Sequence, residues 1–318
     1  MINGKMDFLI FEGPTKKGLE LIKYYLRQIG ISGLDWTWWY YQFTNHILSL
    51  FYKRKNDGIY IMDRIWDHLI ILDACRYDVF RYKFEREKDF FKNYSYSLEK
   101  VYSRGSSTPE FLVENFSGRC LRDVIYVAAN PYVYTLLPRN TFFKVVHVWR
   151  THWDEKLGVV HPEAVAKKAL EVHSEYPNKK LIIHFMQPHS PYIGKYRKRE
   201  SFISIALKEG LDEAMKAYLS NLDLVFPYVK LLIEKLDGII VVTSDHGEAW
   251  GERACYLFPI YGHPKYIKIP SLREVPWLTI YKEHIYEHLE REKLKRTVER
   301  VKYRVKRALR ASSLFCRL

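Results

Sequence analysis

Ile239-Ile240-Val241-Val242-Thr243-Ser244-Asp245-His246-Gly247-Glu248 is the stretch whose reading decides the fold. Four consecutive β-branched apolar residues predict a short strand buried on both faces, as in the middle of a parallel sheet. The strand stops at a carboxylate and an imidazole side by side, followed by a glycine that permits a sharp turn. Open α/β sheets bind ligands at the carboxyl ends of their strands, which puts Asp245 and His246 where chemistry is expected. An ordinary hydrogen-bonded turn after a strand reads the same way, so the rest of the chain must separate the two.

Leu69-Ile70-Ile71-Leu72 repeats the arrangement and runs into Asp73-Ala74-Cys75-Arg76-Tyr77-Asp78. Val124–Ala129 and Leu181–Phe185 are further strand candidates with polar ends, while Pro162–His173 and Glu213–Leu236 carry helical periodicity. Strands alternating with helices predict an α/β fold, a largely parallel sheet flanked by helices. No internal repeat or low-complexity linker divides the chain. Residues 66–282 are therefore expected to form one catalytic domain. Residues 1–65 read as a helical extension, with an amphipathic helix over Thr15–Gly30 and an aromatic cluster from Trp36 to Tyr52. Residues 283–318 read as a basic amphipathic helix with Leu289, Leu294, Val298, Val301, Val305 and Leu309 on one side.

At 318 residues, 47% hydrophobic and 16% aromatic, the chain is too apolar to be disordered and long enough for a large core. Half of its +14 net charge lies after residue 283, where eleven Lys and Arg face four Glu. The aromatic cluster is expected to pack on the domain. The basic tail is expected to dock or to join copies of the chain, and an anionic membrane surface is the further partner that both segments admit. No nucleic-acid module accompanies the charge, so a nucleic-acid partner is not expected. Four dispersed cysteines without a CxxC pair argue against a zinc ribbon and a disulfide scaffold. There is no signal-peptide pattern and no run of about 18 apolar residues. The expected location is the cytoplasm, with peripheral membrane contact admitted.

Four polar clusters fall at strand ends or helix starts: Asp73 with Arg76; Ser103-Arg104-Gly105-Ser106-Ser107-Thr108-Pro109-Glu110; His184 to Tyr192; and Ser244 to Glu248. Carboxylate and imidazole donors without thiolates suit a divalent ion rather than a closed structural zinc site. A hydroxyl at a helix start is well placed for nucleophilic attack, since that end favours negative charge.

Taken together, "LIILDACRYD", "SRGSSTPEFLVENFSG", "HFMQPHSPY", "AYLSNLD", "IIVVTSDHGE" and the later "LREVPWLTI" resemble the alkaline phosphatase superfamily, in its sulfatase and lipoteichoic acid synthase-like branch. The resemblance covers roughly Trp66 to Ile280 in the family's order. It implies a three-layer alkaline-phosphatase-like domain and a metal-dependent hydrolase or transferase acting on phosphate esters, with sulfate esters second. It also implies one divalent ion (Mn, Zn, Mg or Ca), held by Asp73, Asp245, His246 and the nucleophile. Thr108 is expected to be that nucleophile, capping a helix that begins with Pro109 and reaches Gly118. Ser107, which would form a capping box with Glu110, is the second choice and Ser106 the third. Arg76, His184, His189 and His263 are expected to contact an anionic ester, such as a glycan or lipid head group, with Lys265 a cationic neighbour; pairing with Asp78 is the other reading of Arg76.

The departures narrow the expectation. Sulfatases carry a Cys-x-Pro-x-Arg segment whose cysteine becomes formylglycine, and the nucleophile segment here has no cysteine. The carboxylate pair and the "PD" of two-metal relatives read Asp73-Ala74 and Pro188-His189. Both point to one metal. They also leave open a non-catalytic relative that binds an anionic glycan or lipid.

Overall fold

The computed structural model describes residues 37, 39–43, 56–254 and 258–282. The Thr15–Gly30 helix and the basic helix of residues 283–318 lie outside the described residues. In chain order the strands are β1 (His68–Asp73), β2 (Ser95–Tyr102), β3 (Leu121–Ala128), β4 (Phe142–His147), β5 (Trp153–Asp154), β6 (Val159–Val160), β7 (Lys180–Pro188), β8 (Ile239–Ser244), β9 (Ala249–Ala254), β10 (Phe258–Gly262) and β11 (Glu274–Tyr281). The helices are α1 (Tyr77–Arg86), α2 (Lys88–Phe91), α3 (Thr108–Phe116), α4 (Tyr132–Leu136), α5 (Val148–His152), α6 (Pro162–Glu175), α7 (Phe202–Lys208), α8 (Leu211–Lys235) and α9 (Pro270–Arg273).

Seven strands form the main sheet in the order β2-β11-β8-β1-β7-β3-β4. β8, β1, β7, β3 and β4 run parallel, and β11 lies antiparallel to both β8 and β2. All six residues of β1 and of β8 are buried, as expected for central strands with helices on both faces. Alternation of side chains divides the core in two. Ile70, Leu72, Ile183, Phe185, Ile240 and Val242 face a layer built by α1, α6 and α8, including Phe80, Val165 and Phe226. Leu69, Ile71, Ile182, Val241 and Tyr126 face the opposite layer with Phe111, Phe116 and Val133 of α3 and α4. The fold is a three-layer, mostly parallel α/β sandwich, as the sequence led one to expect.

The sequence-expected strands and long helices lie where periodicity put them, each extended by one to three residues at an end. β2, β4 and β11 are strands beyond those expected from the sequence; β2 is half exposed along its length because it forms the sheet edge. In the aromatic cluster, the Tyr40 hydroxyl donates to the Pro259 carbonyl at 2.6 Å, tying that segment to β10.

α8 also fixes the loop after β7. The Asn221 side chain accepts from the Ile193 and Gly194 N–H groups at 2.7 and 3.1 Å and donates to the His189 and Pro191 carbonyls at 2.9 and 3.1 Å. Gly194 sits so close to α8 that a Cβ would lie 2.3 Å from the Ser220 carbonyl oxygen. Asn221→Leu strips four backbone groups of their partner while keeping the volume. The expected loss is about 2–4 kcal/mol of stability, read as a lower urea midpoint at unchanged slope.

Candidate active site

The site stands on the carboxyl ends of β1, β7 and β8 and on the start of α3. Asp73 closes β1, where the parallel register slips so that it faces Pro188 of β7. The next residue, Ala74, takes a left-handed conformation with φ of 61°, uncommon for a residue with a Cβ. Its backbone is gripped on both sides: the N–H donates to Asp245 Oδ1 at 3.1 Å, and the carbonyl accepts from the Tyr218 hydroxyl at 2.7 Å. Ser244 joins the two strand ends, its hydroxyl accepting from the Cys75 N–H at 2.8 Å and lying 2.5 Å from the Leu72 carbonyl. Asp73 and Asp245 therefore meet because adjacent strands end in cross-linked turns.

Donor atoms of five side chains converge there. Thr108 Oγ1 lies 3.4 Å from Asp73 Oδ2 and 3.3 Å from His246 Nε2. His246 Nε2 is 3.5 Å from both Asp73 Oδ1 and Asp245 Oδ2. His184 Nε2 is 3.9 Å from Asp73 Oδ2 and 3.7 Å from Asp245 Oδ2. All five side chains are buried. Asp73 Oδ1, Asp245 Oδ2 and His184 Nε2 have no hydrogen-bond partner, and one donor atom each from Asp73, His184 and Asp245 lies within 4.8 Å of the others.

The electrostatics agree with that geometry. Burial, and then the charge of Asp245, push the Asp73 carboxyl well above its usual range. Burial lowers His184 to about 4 and depresses His246 as well, so both imidazoles are neutral donors near pH 7. Two buried carboxylates, two neutral imidazoles and a hydroxyl, with three orphaned atoms among them, fit a divalent cation.

α3 begins one residue earlier than the sequence suggested. Ser107 is the N-cap and Thr108 the first helical residue, with Pro109 in the first turn and the helix ending before Gly118, whose φ is 72°. The capping box expected between Ser107 and Glu110 does not form. Glu110 Oε2 instead accepts from the N–H and the hydroxyl of Ser106 at 2.9 and 2.8 Å. Ser106 is thereby committed to structure, while Ser107 Oγ is buried without a partner. Of the three hydroxyls, Thr108 is the one that lies against Asp73 and His246.

Two assignments change. The Arg76 guanidinium is fully engaged: Nε and Nη2 fork onto Asp78 at 2.9 and 2.7 Å, and Nη1 reaches Glu252 at 2.6 Å and the Glu248 carbonyl at 3.0 Å. It also stacks over Trp250, 4.2 Å from the ring centre. The pairing reading of Arg76 thus replaces the substrate-anion reading. His184, expected among substrate contacts, is fully buried, with Nε2 toward the two carboxylates and Nδ1 held 2.8 Å from the Tyr126 hydroxyl.

His189 and His263 are only partly buried and line the outer side of the cluster. Their ring centres are 4.9 Å apart, and His263 is 4.7 Å from the His246 ring. Buried Glu248 lies 3.1 Å from His263 Nδ1. Burial pulls His263 down, but the Glu248 charge and hydrogen bond outweigh it and raise the imidazole above its ordinary value. Lys265 is exposed beside them. Cys75 is buried next to the site, and burial pushes its thiol up, leaving it unreactive.

Sequence reasoning missed Asn130 and Tyr126, and it gave no role to Glu248 or Tyr218, although both lie in stretches that it singled out. Asn130 follows β3 and donates to Asp73 Oδ2 at 2.9 Å. A polar residue at the end of another apolar strand was the available signal. Tyr126 sits within an apolar run and gave none.

A family model described as Sulfatase matches residues 83–298. The chain belongs to the Sulfatase family. That match, which begins ten residues after Asp73, bears out the sulfatase-like enzyme expected from the sequence motifs. No curated protein matches the sequence. Solved structures similar to this chain include the integral membrane lipooligosaccharide phosphoethanolamine transferase A (EptA) of Neisseria meningitidis, at 15% identity over 70% of this chain, with a TM-score of 0.46. The chain spans 48% of that protein's length. The zinc complex of the periplasmic domain of EptC from Escherichia coli is 14% identical over 72% of this chain and 76% of its own, with a TM-score of 0.46. The lipoteichoic acid synthase LtaP of Listeria monocytogenes is 11% identical over 68% and 65%, with a TM-score of 0.42. The cytoplasmic location expected from the sequence is corrected: EptA is described as an integral membrane protein and the EptC structure as a periplasmic domain. Among the described residues no helix is long and apolar enough to cross a membrane.

Asn130→Ala removes the hydrogen bond that Asp73 Oδ2 receives. Metal-free protein carrying it is expected to lose about 1–3 kcal/mol in chemical denaturation.

Proposed function

We propose that this protein transfers or hydrolyses a phosphoryl ester through Thr108, using one divalent ion held by Asp73, Asp245, His246 and Thr108, with His184 as a further donor. The observation that carries the reading is the convergence of Thr108 Oγ1 with four buried donors, three of whose atoms lack any other partner. When bound, such an ion supplies Lewis acidity and neutralises charge on the phosphoryl group.

The chain's own residues account for the remaining steps. Thr108 Oγ1 attacks phosphorus from the first turn of α3, where backbone N–H groups favour developing negative charge. Asp73 Oδ2, 3.4 Å away, takes the hydroxyl proton, while its Oδ1 is left for the ion. The P–O bond to the leaving group breaks, and a phosphothreonine remains. His263, oriented through Nδ1 by Glu248, gives the departing oxygen a proton from Nε2. The now neutral His263 then takes a proton from water or an acceptor alcohol as that oxygen attacks phosphorus; the bond from phosphorus to Thr108 breaks, and Asp73 returns its proton to Thr108 Oγ1, so that the hydroxyl and both acid–base groups are restored. His189, on the same partly exposed side, contacts the group attached to the ester. Phosphate is favoured over sulfate because no cysteine stands at the nucleophile position.

We also propose residues 66–282 as the catalytic unit, with the segments before and after it serving as attachments. The anionic ester is assigned to the glycan or lipid-head-group class because the neighbours' names describe acting on lipooligosaccharide and making lipoteichoic acid.

A panel of phosphate mono- and diesters and sulfate esters, with added Mn or Zn, tests the reading. Thr108→Ala is expected to lower turnover by about 10³-fold or more, and trapped intermediate should carry phosphate on Thr108 by mass spectrometry. Full activity in that variant would assign the nucleophile elsewhere. Asp245→Ala should lose both turnover and the bound ion by elemental analysis. Turnover that survives without metal would sink the metal-dependent mechanism. His263→Gln is expected to slow cleavage of alkyl esters by about 10²–10⁴-fold and to leave nitrophenyl esters, whose leaving group needs no proton, much less affected.

A further inference from the structure

At the opposite end of the same strands, three donors from three segments meet. His68 is the first residue of β1, His173 lies in the last turn of α6, and Asp237 precedes β8. His68 Nε2 is 3.6 Å and His173 Nε2 3.5 Å from the same oxygen, Asp237 Oδ1. The two imidazoles pack edge to face with ring centres 5.0 Å apart. β1 separates this cluster from Asp73 by five residues, or about 16 Å of extended strand.

These spacings are too long for hydrogen bonds, whose N···O distances run about 2.7–3.2 Å. They are close to the separation of ligands around an ion. Donors about 2.0–2.1 Å from a tetrahedral zinc lie about 3.4 Å from one another. Among the described residues nothing else holds the two rings by hydrogen bonds: Nδ1 of each is buried without a partner. Burial, and then His173, lower His68 to about 4, so it is the neutral, metal-binding form near pH 7. Asp237 is mostly exposed, which leaves a water-accessible side for a fourth ligand. The turn that presents it is fixed by Gly238, at φ of 74°, where a Cβ would lie 2.5 Å from Asp67 Oδ2.

We propose that His68, His173 and Asp237 form a second metal site, taking Zn(II) or a similar nitrogen-preferring divalent ion with water in the fourth position. It ties the start of β1 to α6 and to the turn before β8, remote from the ester chemistry. Its role is to brace the amino ends of the central strands, and it stands independently of the active-site reading.

The test uses the full chain, loaded with zinc and freed of excess by gel filtration, with zinc per protein measured by elemental analysis. A variant carrying Asp245→Ala and His246→Ala is expected to keep about one zinc and to melt several degrees higher with zinc than after chelation. Adding His173→Gln, or separately the surface change Asp237→Asn, should remove both the ion and the shift. His173→Gln alone should lower zinc content by about one while turnover persists. Zinc content and melting shift unaffected by either change would overturn the site. If Asp245→Ala and His246→Ala leave zinc content unchanged but His173→Gln lowers it, the active-site reading falls and this one stands.

Discussion

Two buried carboxylates that share one space set the terms for this molecule. Asp73 and Asp245 end neighbouring parallel strands, and both are buried. Burying such a pair is strongly unfavourable unless something positive or proton-bearing lies between them. Among the described residues no lysine or arginine pairs with either carboxylate. Its contribution is two neutral imidazoles, the Asn130 amide and the Thr108 hydroxyl, which are the partners of an ion rather than substitutes for one.

Much of the surrounding structure holds that pair in place. The strained Ala74 is gripped by Asp245 and Tyr218, and Ser244 locks the ends of β1 and β8 together. Asn221 organises the loop that carries His189. Arg76 follows the same logic: a guanidinium bound by two carboxylates and a carbonyl, and stacked on Trp250, cements α1 to the segment carrying Glu248. Its charge is spent on structure, so cationic character toward a ligand falls to other groups, with raised His263 at the open side.

The site is graded from inside to outside. The metal-type donors are sealed, whereas His189 and His263 are partly exposed. A substrate approaching from that side meets imidazole faces before it meets the hydroxyl. Such an arrangement suits an ester whose bulk remains outside while its phosphoryl group enters. The second histidine cluster, at the amino ends of the strands, braces the sheet without touching this path.

The sequence by itself determined the central strands, because runs such as Ile239–Val242 and Leu69–Leu72 are compatible with little except burial on both faces. It also determined that Asp73, Asp245 and His246 stand at strand ends, since a parallel sheet brings those ends to one edge. Edge strand β2 was not legible, because half of its side chains face water and carry no period. Side-chain direction was not legible either. Only the tertiary structure decided that Thr108 rather than Ser106 faces the donors, and that Glu110 binds Ser106 instead of capping with Ser107. It likewise decided that Arg76 is consumed by Asp78 and Glu252, that His184 turns inward, and that Tyr126 and Asn130 join the site. The physical reason is common to all of these. A pattern along the chain fixes which face a residue occupies, whereas its partner is set by strands and helices tens of residues away.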